Sequence, residues 1–509
     1  MSGCPSPLPC IKPHGLGCAC CGGRIPGGKV WPMTSAHAEI PQNKQGHPDS
    51  TPVEALTTAV NDSFENTLAS LEELVGIPGI AWPSFDPKEL DRSADAVASL
   101  VKEAGMEDVR ILRCNKGDGT PGGPAVVARR PAAEGKPTIL LYAHHDVQPP
   151  GDRSLWKSEP FVAQQRDGRL YGRGAADDKA GIMAHLAAYS AVTKVLGEDF
   201  GLGVTLFFEG EEEAGSPTFR TFLEEHQELL RADVIVVADS SNWKVGVPAL
   251  TTSLRGLVDG TFEVRVLEHA VHSGMFGGPV LDAPTLLSRL IATLHDDDGN
   301  VAVAGLVGRD EAAVDLTEAD YRADASVLDG VRLAGSGTIA SRLWTKPALS
   351  IIGMDVPAVD VASNTLIPAA RAKFSMRLAP GQDPEAAMAA LKQHVESNAP
   401  FGAKVTFTPG ERGNAFSTDT TSAAARVALW ALGESWGVKP VEMGIGGSIP
   451  FISDLLEMYP DVQILVTGVE DPDSRAHSAN ESLHIGDFRH AVLAEALMLA
   501  RLNAEGLVD

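Results

Sequence analysis

Four short runs of unbroken apolar residues stand out along the chain: Thr138-Ile-Leu-Leu-Tyr142, Val204-Thr-Leu-Phe-Phe208, Val234-Ile-Val-Val-Ala238 and Gln463-Ile-Leu-Val-Thr467. Runs of this length without polar alternation suit strands buried on both faces, as in a largely parallel sheet. Between the first two, residues 182–196 are rich in alanine and leucine at helical spacing and predict the crossover that parallel strands require. Helical spacing also marks 64–74, 91–104 before the stop signal of Gly105, 422–436 and 487–502. The expectation is an α/β fold, a mostly parallel sheet sandwiched by helices.

From about Ser253 the texture changes. Thr261-Phe-Glu-Val-Arg-Val266 and Lys373-Phe-Ser-Met-Arg-Leu378 alternate apolar with polar, with helical stretches near 283–294 and 384–395. This reads as a smaller α+β unit inserted into the larger one. The expected division is a disordered tail over 1–55, a catalytic domain in two parts over 56–252 and 412–509, and the insertion over 253–411. A chain of 509 residues exceeds what one core usually serves, which agrees with that division.

Composition narrows the setting. An apolar fraction of 44% with 21% charged residues is that of an ordinary soluble enzyme, and no apolar run is long enough to span a bilayer. The formal net charge of −25 repels a phosphate backbone and an anionic lipid surface, so neither nucleic acid nor membrane is an expected partner. Cys4, Cys10, Cys18, Cys20 and Cys21 crowd the first residues, where Cys18, Cys20 and Cys21 sit too close together for a standard two-by-two zinc spacing. Only Cys114 lies in the part that reads as folded, and a lone thiol makes no disulfide framework. The amino terminus, broken by Pro5, Pro7, Pro9 and Pro13, lacks the charged start and apolar stretch of a secretory signal; a cytoplasmic location is expected.

Each apolar run is followed by residues able to ligate a metal: His144-His145-Asp146, Glu211-Glu212-Glu213, Asp239, and His477 further into a loop. Strand carboxyl ends of a parallel sheet share one edge, where ligands bind. Asp177 and Asp178 join from the other direction, after Gly172-Arg-Gly174 and before a helix whose amino terminus favours carboxylate charge. Each signal alone is weak. Together, two histidines and several carboxylates at matching positions suit Zn²⁺ with nitrogen and oxygen ligands and an open water position. Asp146 lies two residues after His144, so both side chains point the same way on an extended strand end and the carboxylate can hold the second imidazole nitrogen. His145 points away and reads as structural. Arg377 alternates with Phe374, Met376 and Leu378 and so leaves the apolar face, and the glycines of Gly444-Ile-Gly-Gly-Ser-Ile-Pro450 allow close approach of backbone amides to a bound group.

Ala143-His-His-Asp-Val-Gln-Pro149, Gly172-Arg-Gly-Ala-Ala-Asp-Asp-Lys179, Glu209-Gly-Glu-Glu-Glu-Ala-Gly-Ser216 and Ala476-His-Ser478 occur in this order. They closely resemble the di-zinc exopeptidase family of carnosinase-like dipeptidases, aminoacylases, acetylornithine deacetylases and succinyl-diaminopimelate desuccinylases. The likeness runs from about Phe64 to the carboxyl terminus, nearest the dipeptidase branch. It implies the zinc-exopeptidase-like fold with an inserted lid, or dimerisation, domain and two divalent ions per chain, zinc favoured over manganese and cobalt. By motif, Asp177 bridges the ions, with His144 and Asp239 on one and Glu213 and His477 on the other. Glu212 resembles the general base, and Asp146 supports His144. Val271-His-Ser-Gly-Met-Phe-Gly-Gly278 is similar to the family's dimer motif, in which His272 serves the partner subunit's site by stabilising the developing oxyanion. The resemblance further implies that Arg377 grips the substrate carboxylate with Asn364 nearby, while Gly447 and Ser448 lie beside the substrate's carboxyl end.

The expected activity is hydrolysis of small peptides by a homodimeric metal-dependent dipeptidase. An N-acyl amino acid deacylase or desuccinylase would use the same machinery with a different pocket. A non-catalytic metal-binding or assembly protein on this fold would show loss of the base or a ligand, and none is lost.

Overall fold

The computed structural model describes residues 51–447 and 450–507. The tail to residue 50 with its five cysteines, and Ser448, lie outside the described residues.

The four apolar runs form adjacent parallel strands, Gly203–Glu209, Thr138–His144, Val234–Val237 and Gln463–Val466, in that spatial order at the centre of a nine-stranded sheet. Their alternate side chains feed two cores. Ile139, Leu141 and Ala143 pack on one face beneath the helices Val53–Val75, Lys179–Leu196, Ala423–Trp436 and Ile485–Glu505. Leu140 and Tyr142 face the other side with Phe207, Phe219, Phe222 and Phe451. Fully burying each such side chain contributes about 1.5–3 kcal/mol, so the unbroken apolar runs are what a two-sided position selects.

Antiparallel strands flank this centre: Ala125–Arg130 pairs with Gly203–Glu209, and Phe416–Ser417 pairs with Ala249–Leu254. The helix read from 91–104 starts earlier, at Pro87, because the Asp86 side chain accepts from Lys88 N at 3.0 Å and Pro87 needs no amide partner.

The chain leaves this sheet at Leu254 and returns to it at Phe416. Between them, Ala348–Asp355, Ala369–Leu378, Gly256–Arg265 and Lys404–Gly413 form an antiparallel four-stranded sheet, in that order. One face carries a separate core, where Phe262, Phe374 and Met376 meet the helices Ala283–Ala292 and Pro384–Ser397. On the outer strand, Ile352 and Met354 are exposed. Among the described residues, no helix is long and apolar enough to cross a membrane.

Candidate metal centre

The carboxyl edge of the parallel strands gathers six metal-capable side chains into two groups, each with ligand atoms mutually within 4.8 Å: His144, Glu212 and Asp239, and Asp177, Glu213 and His477. Asp177 spans the groups. Its Oδ1 lies 3.1 Å from His144 Nε2 and its Oδ2 lies 3.0 Å from His477 Nε2. His477 Nε2 is also 3.2 Å from Glu213 Oε2, and His144 Nε2 is 3.9 Å from Glu212 Oε2.

Local structure explains the placement. His144 ends its strand and Asp239 lies just beyond Val237, whereas Glu212 and Glu213 begin a single helical turn, Glu212–Ala214, after Gly203–Glu209. Both carboxylate oxygens of Asp146 accept backbone amides of that turn, from Glu212 N and Glu213 N at 3.1 Å each. His144 Nδ1 lies 3.1 Å from the Asp146 carbonyl oxygen and 3.5 Å from its Oδ1, so the nearer contact is to backbone. Buried His145 faces away, its Nε2 donating to Pro124 O at 2.7 Å. Glu211 accepts from Gly123 N and Thr218 N, and Asp178 accepts from His144 N; both bond locally.

The electrostatics call for cations. Among the described residues, the carboxylates of the two groups have ion-pair partners only in His144 and His477. Burial, with Asp177 and Glu213 nearby, pushes Asp239 up to about 6, and burial beside Asp239 and Asp146 holds Glu212 well above the carboxylate range. Hydrogen bonds to Asp177 and Glu213 raise His477 to about 11; at His144, burial opposes charge but bonds to Asp146 and Asp177 outweigh it. These imidazole protons stand where the donor set suits divalent cations: ligation needs neutral histidine and ionised carboxylate.

Two bracing groups lie outside the sequence reading. Gln148 donates to Glu213, from N to Oε1 at 3.1 Å and from Nε2 to Oε2 at 2.8 Å. Buried Glu481 accepts from the backbone of Gly174, Ala176 and Asp177 at 3.0–3.1 Å and from Arg173 Nη1 at 2.5 Å. Gln148 and Arg173 stand inside the quoted motifs, so the signal was present; Glu481 had none.

The remaining candidates sit elsewhere. His272 ends one strand of a two-stranded ribbon, Val271–His272 with Thr365–Leu366, and Asn364 immediately precedes the other; both are exposed. Among the described residues, no hydrogen bond or ion pair joins His272 to the six-residue cluster. Arg377 is half-buried on its strand; burial, then the Arg377 charge, lowers buried Arg255 to about 10. Arg255 Nε donates to Gly446 O at 2.9 Å, which brings half-buried Gly447 into the same neighbourhood.

Six acid and imidazole side chains converging at the carboxyl edge of the parallel strands make a candidate metal centre, and the family to which the chain belongs makes it that of a hydrolase. The chain belongs to peptidase family M20/M25/M40, whose model matches residues 140–501. It is 34% identical over 425 residues to the cysteinylglycine-S-conjugate dipeptidase of Corynebacterium striatum, covering 82% of this chain and 92% of that one. It is 28% identical to the beta-Ala-His dipeptidase of Rattus norvegicus over 77% of this chain and 82% of that protein. The structure of human carnosine dipeptidase 1 shares the fold, with a TM-score of 0.70 at 24% identity over 90% of this chain and all of that one.

Proposed function

We propose that the protein is a metal-dependent dipeptidase that uses two divalent cations, zinc foremost, and acts as a homodimer in the cytoplasm. The observation that carries the reading is Asp177, whose two oxygens reach the imidazoles of both ligand groups, with Glu212 beside them. His144 and Asp239 would hold one cation, Glu213 and His477 the other, and Asp177 both. When bound, the cations would polarise the scissile carbonyl and acidify water.

Glu212 takes a proton from the attacking water as its oxygen bonds to the carbonyl carbon, then delivers it to the leaving nitrogen when the C–N bond breaks. Asp146 holds the backbone of Glu212 in place for both transfers. The partner subunit's His272 donates to the developing oxyanion. Arg377 binds the substrate carboxylate, with Asn364 and Gly447 assisting. The dimer reading is supported by the outer strand Ala348–Asp355 with exposed Ile352 and Met354, and by the exposed Val359, Val361 and His272. The cytoplasmic reading rests on Cys114, a buried thiol without a disulfide.

The test is hydrolysis of a panel of dipeptides and N-acyl amino acids by purified protein, before and after chelation and with Zn²⁺ or Mn²⁺ restored, alongside bound-metal analysis. Chelator-sensitive dipeptide cleavage is expected. Preference for acyl amino acids would replace the substrate assignment, and protein without metal or activity would overturn the reading.

A further inference from the structure

A third group of potential ligands lies outside the catalytic cluster. Cys114, in the segment after the strand Val109–Leu112, meets Glu225 and His226 at the end of the helix Phe219–Glu225. The Cys114 Sγ, Glu225 carboxylate and His226 ring nitrogen all lie within 4.8 Å of one another. None belongs to the six residues described above.

Sulfur, carboxylate and imidazole come within reach of a single ion. Cys114 Sγ is 3.3 Å from Glu225 Oε2. Ligands at 2.3 Å for sulfur and 2.0 Å for oxygen, at the tetrahedral angle, stand about 3.5 Å apart, so this hydrogen-bonded pair lies close to the spacing that one edge of a zinc tetrahedron needs. The His226 ring is set edge-on against Phe222, with centroids 4.6 Å apart, which limits its rotation. Cys114 is 2% exposed, His226 half-buried and Glu225 exposed. The shell is therefore closed on the sulfur side and open to water on the other, as a site with three protein ligands requires. Sulfur, nitrogen and oxygen together favour a borderline-soft ion over Mg²⁺ or Ca²⁺.

We propose that Cys114, Glu225 and His226 bind one thiophilic divalent cation of the Zn²⁺ type at a site separate from the catalytic centre. Binding replaces the thiol S–H bond by a sulfur–metal bond and releases the proton to water. The ion would fasten the segment after Cys114 to the helix Phe219–Glu225, two pieces that Glu211 already joins by accepting from Gly123 N at 2.7 Å and Thr218 N at 2.8 Å.

Co²⁺ is the probe, because thiolate ligation gives a near-ultraviolet charge-transfer band and the catalytic cluster contains no sulfur. Full-length protein titrated with Co²⁺ should develop the band, saturating at one ion per chain. Cys114→Ser should abolish it. His226→Gln and Glu225→Gln, at less buried positions, should weaken Co²⁺ binding about ten-fold or more while dipeptide hydrolysis and catalytic metal content stay as in the parent. Absence of the band in the parent overturns the proposal. So does a band that survives in Cys114→Ser, which would then arise from the amino-terminal cysteines, or unchanged affinity in both the His226 and Glu225 variants. Because catalytic metal is measured separately, failure here is distinguishable from failure of the dipeptidase reading.

Discussion

The two halves of the metal cluster are built in different ways. His144 and Asp239 lie at or just past the ends of two parallel strands, and the His144 side chain is fully buried, whereas Glu212 shares the Glu212–Ala214 turn with Glu213. Asp177, Glu213 and His477 depend more on loops. The His477 side chain is 59% exposed, and its backbone sits in the left-handed region at φ 61°, a conformation that other contacts must hold for a residue other than glycine. The two carboxylates its imidazole faces are braced in turn, Glu213 by Gln148 and the Asp177 backbone by Glu481. Apart from the turn that Glu212 and Glu213 share, the first group leans more on strand ends and the second on loops and side-chain braces, so substitutions outside that turn should separate them.

The largest effect should come from the residue common to both. Asp177→Ala is expected to lose both cations and reduce hydrolysis to background; metal content near that of the parent would remove Asp177 from its bridging place. Next, Glu212→Ala should keep its cations and lose about 10²–10⁴-fold in kcat, because the proton acceptor is gone while the bridge remains. Near-parental turnover would end the assignment of Glu212 as base. Gln148→Ala touches only the loop-built half, and should weaken binding of one cation about 10–100-fold while sparing the other. Competition titration with a chromophoric chelator reads this, and equal weakening of both sites would dissolve the distinction drawn above.

A separate effect, away from the cations, concerns stability. Burial pushes Glu209 up to about 8, and Tyr142 donates its hydroxyl to Glu209 Oε2 at 2.7 Å. Because its folded pKa lies above the ordinary 4.5, the carboxyl stabilises the fold fully below pH 4.5, and that contribution is lost as pH rises through about 8. Glu209→Gln, permanently neutral, should gain on the parent across that window by an amount on the order of a few kcal/mol. Thermal unfolding of both proteins from pH 4.5 to 9 measures it, and a gap independent of pH would contradict the protonated state.

How much of this was legible follows from which interactions are local in sequence. The four central strands announced themselves because two-sided burial requires consecutive apolar residues, and metal-capable residues followed each of them. Ala125–Arg130 gave no such signal: its two terminal arginines are only partly buried, and its pairing is antiparallel to a strand far along the chain. Ala249–Leu254 hid behind Thr251, Thr252 and Ser253, whose polar atoms find partners such as Ser240 and the Met443 carbonyl only in the folded sheet. Glu481 was invisible for the same reason, since the amides it accepts lie some three hundred residues earlier. The proximity of Cys114 to His226 likewise exists only after folding.

Because the strand Gln463–Val466 inserts between Val234–Val237 and Ala249–Leu254, the sheet is completed by a segment far downstream of both neighbours in sequence. A nascent chain emerging from the ribosome presents His144, Asp177, Glu212, Glu213 and Asp239 well before His477, Glu481 and the helix Ile485–Glu505 exist. The first half is a cluster of acids with one imidazole and without the Arg173–Glu481 brace. The full ligand set therefore comes together only once this downstream strand docks and the helix Ile485–Glu505 packs on Lys179–Leu196.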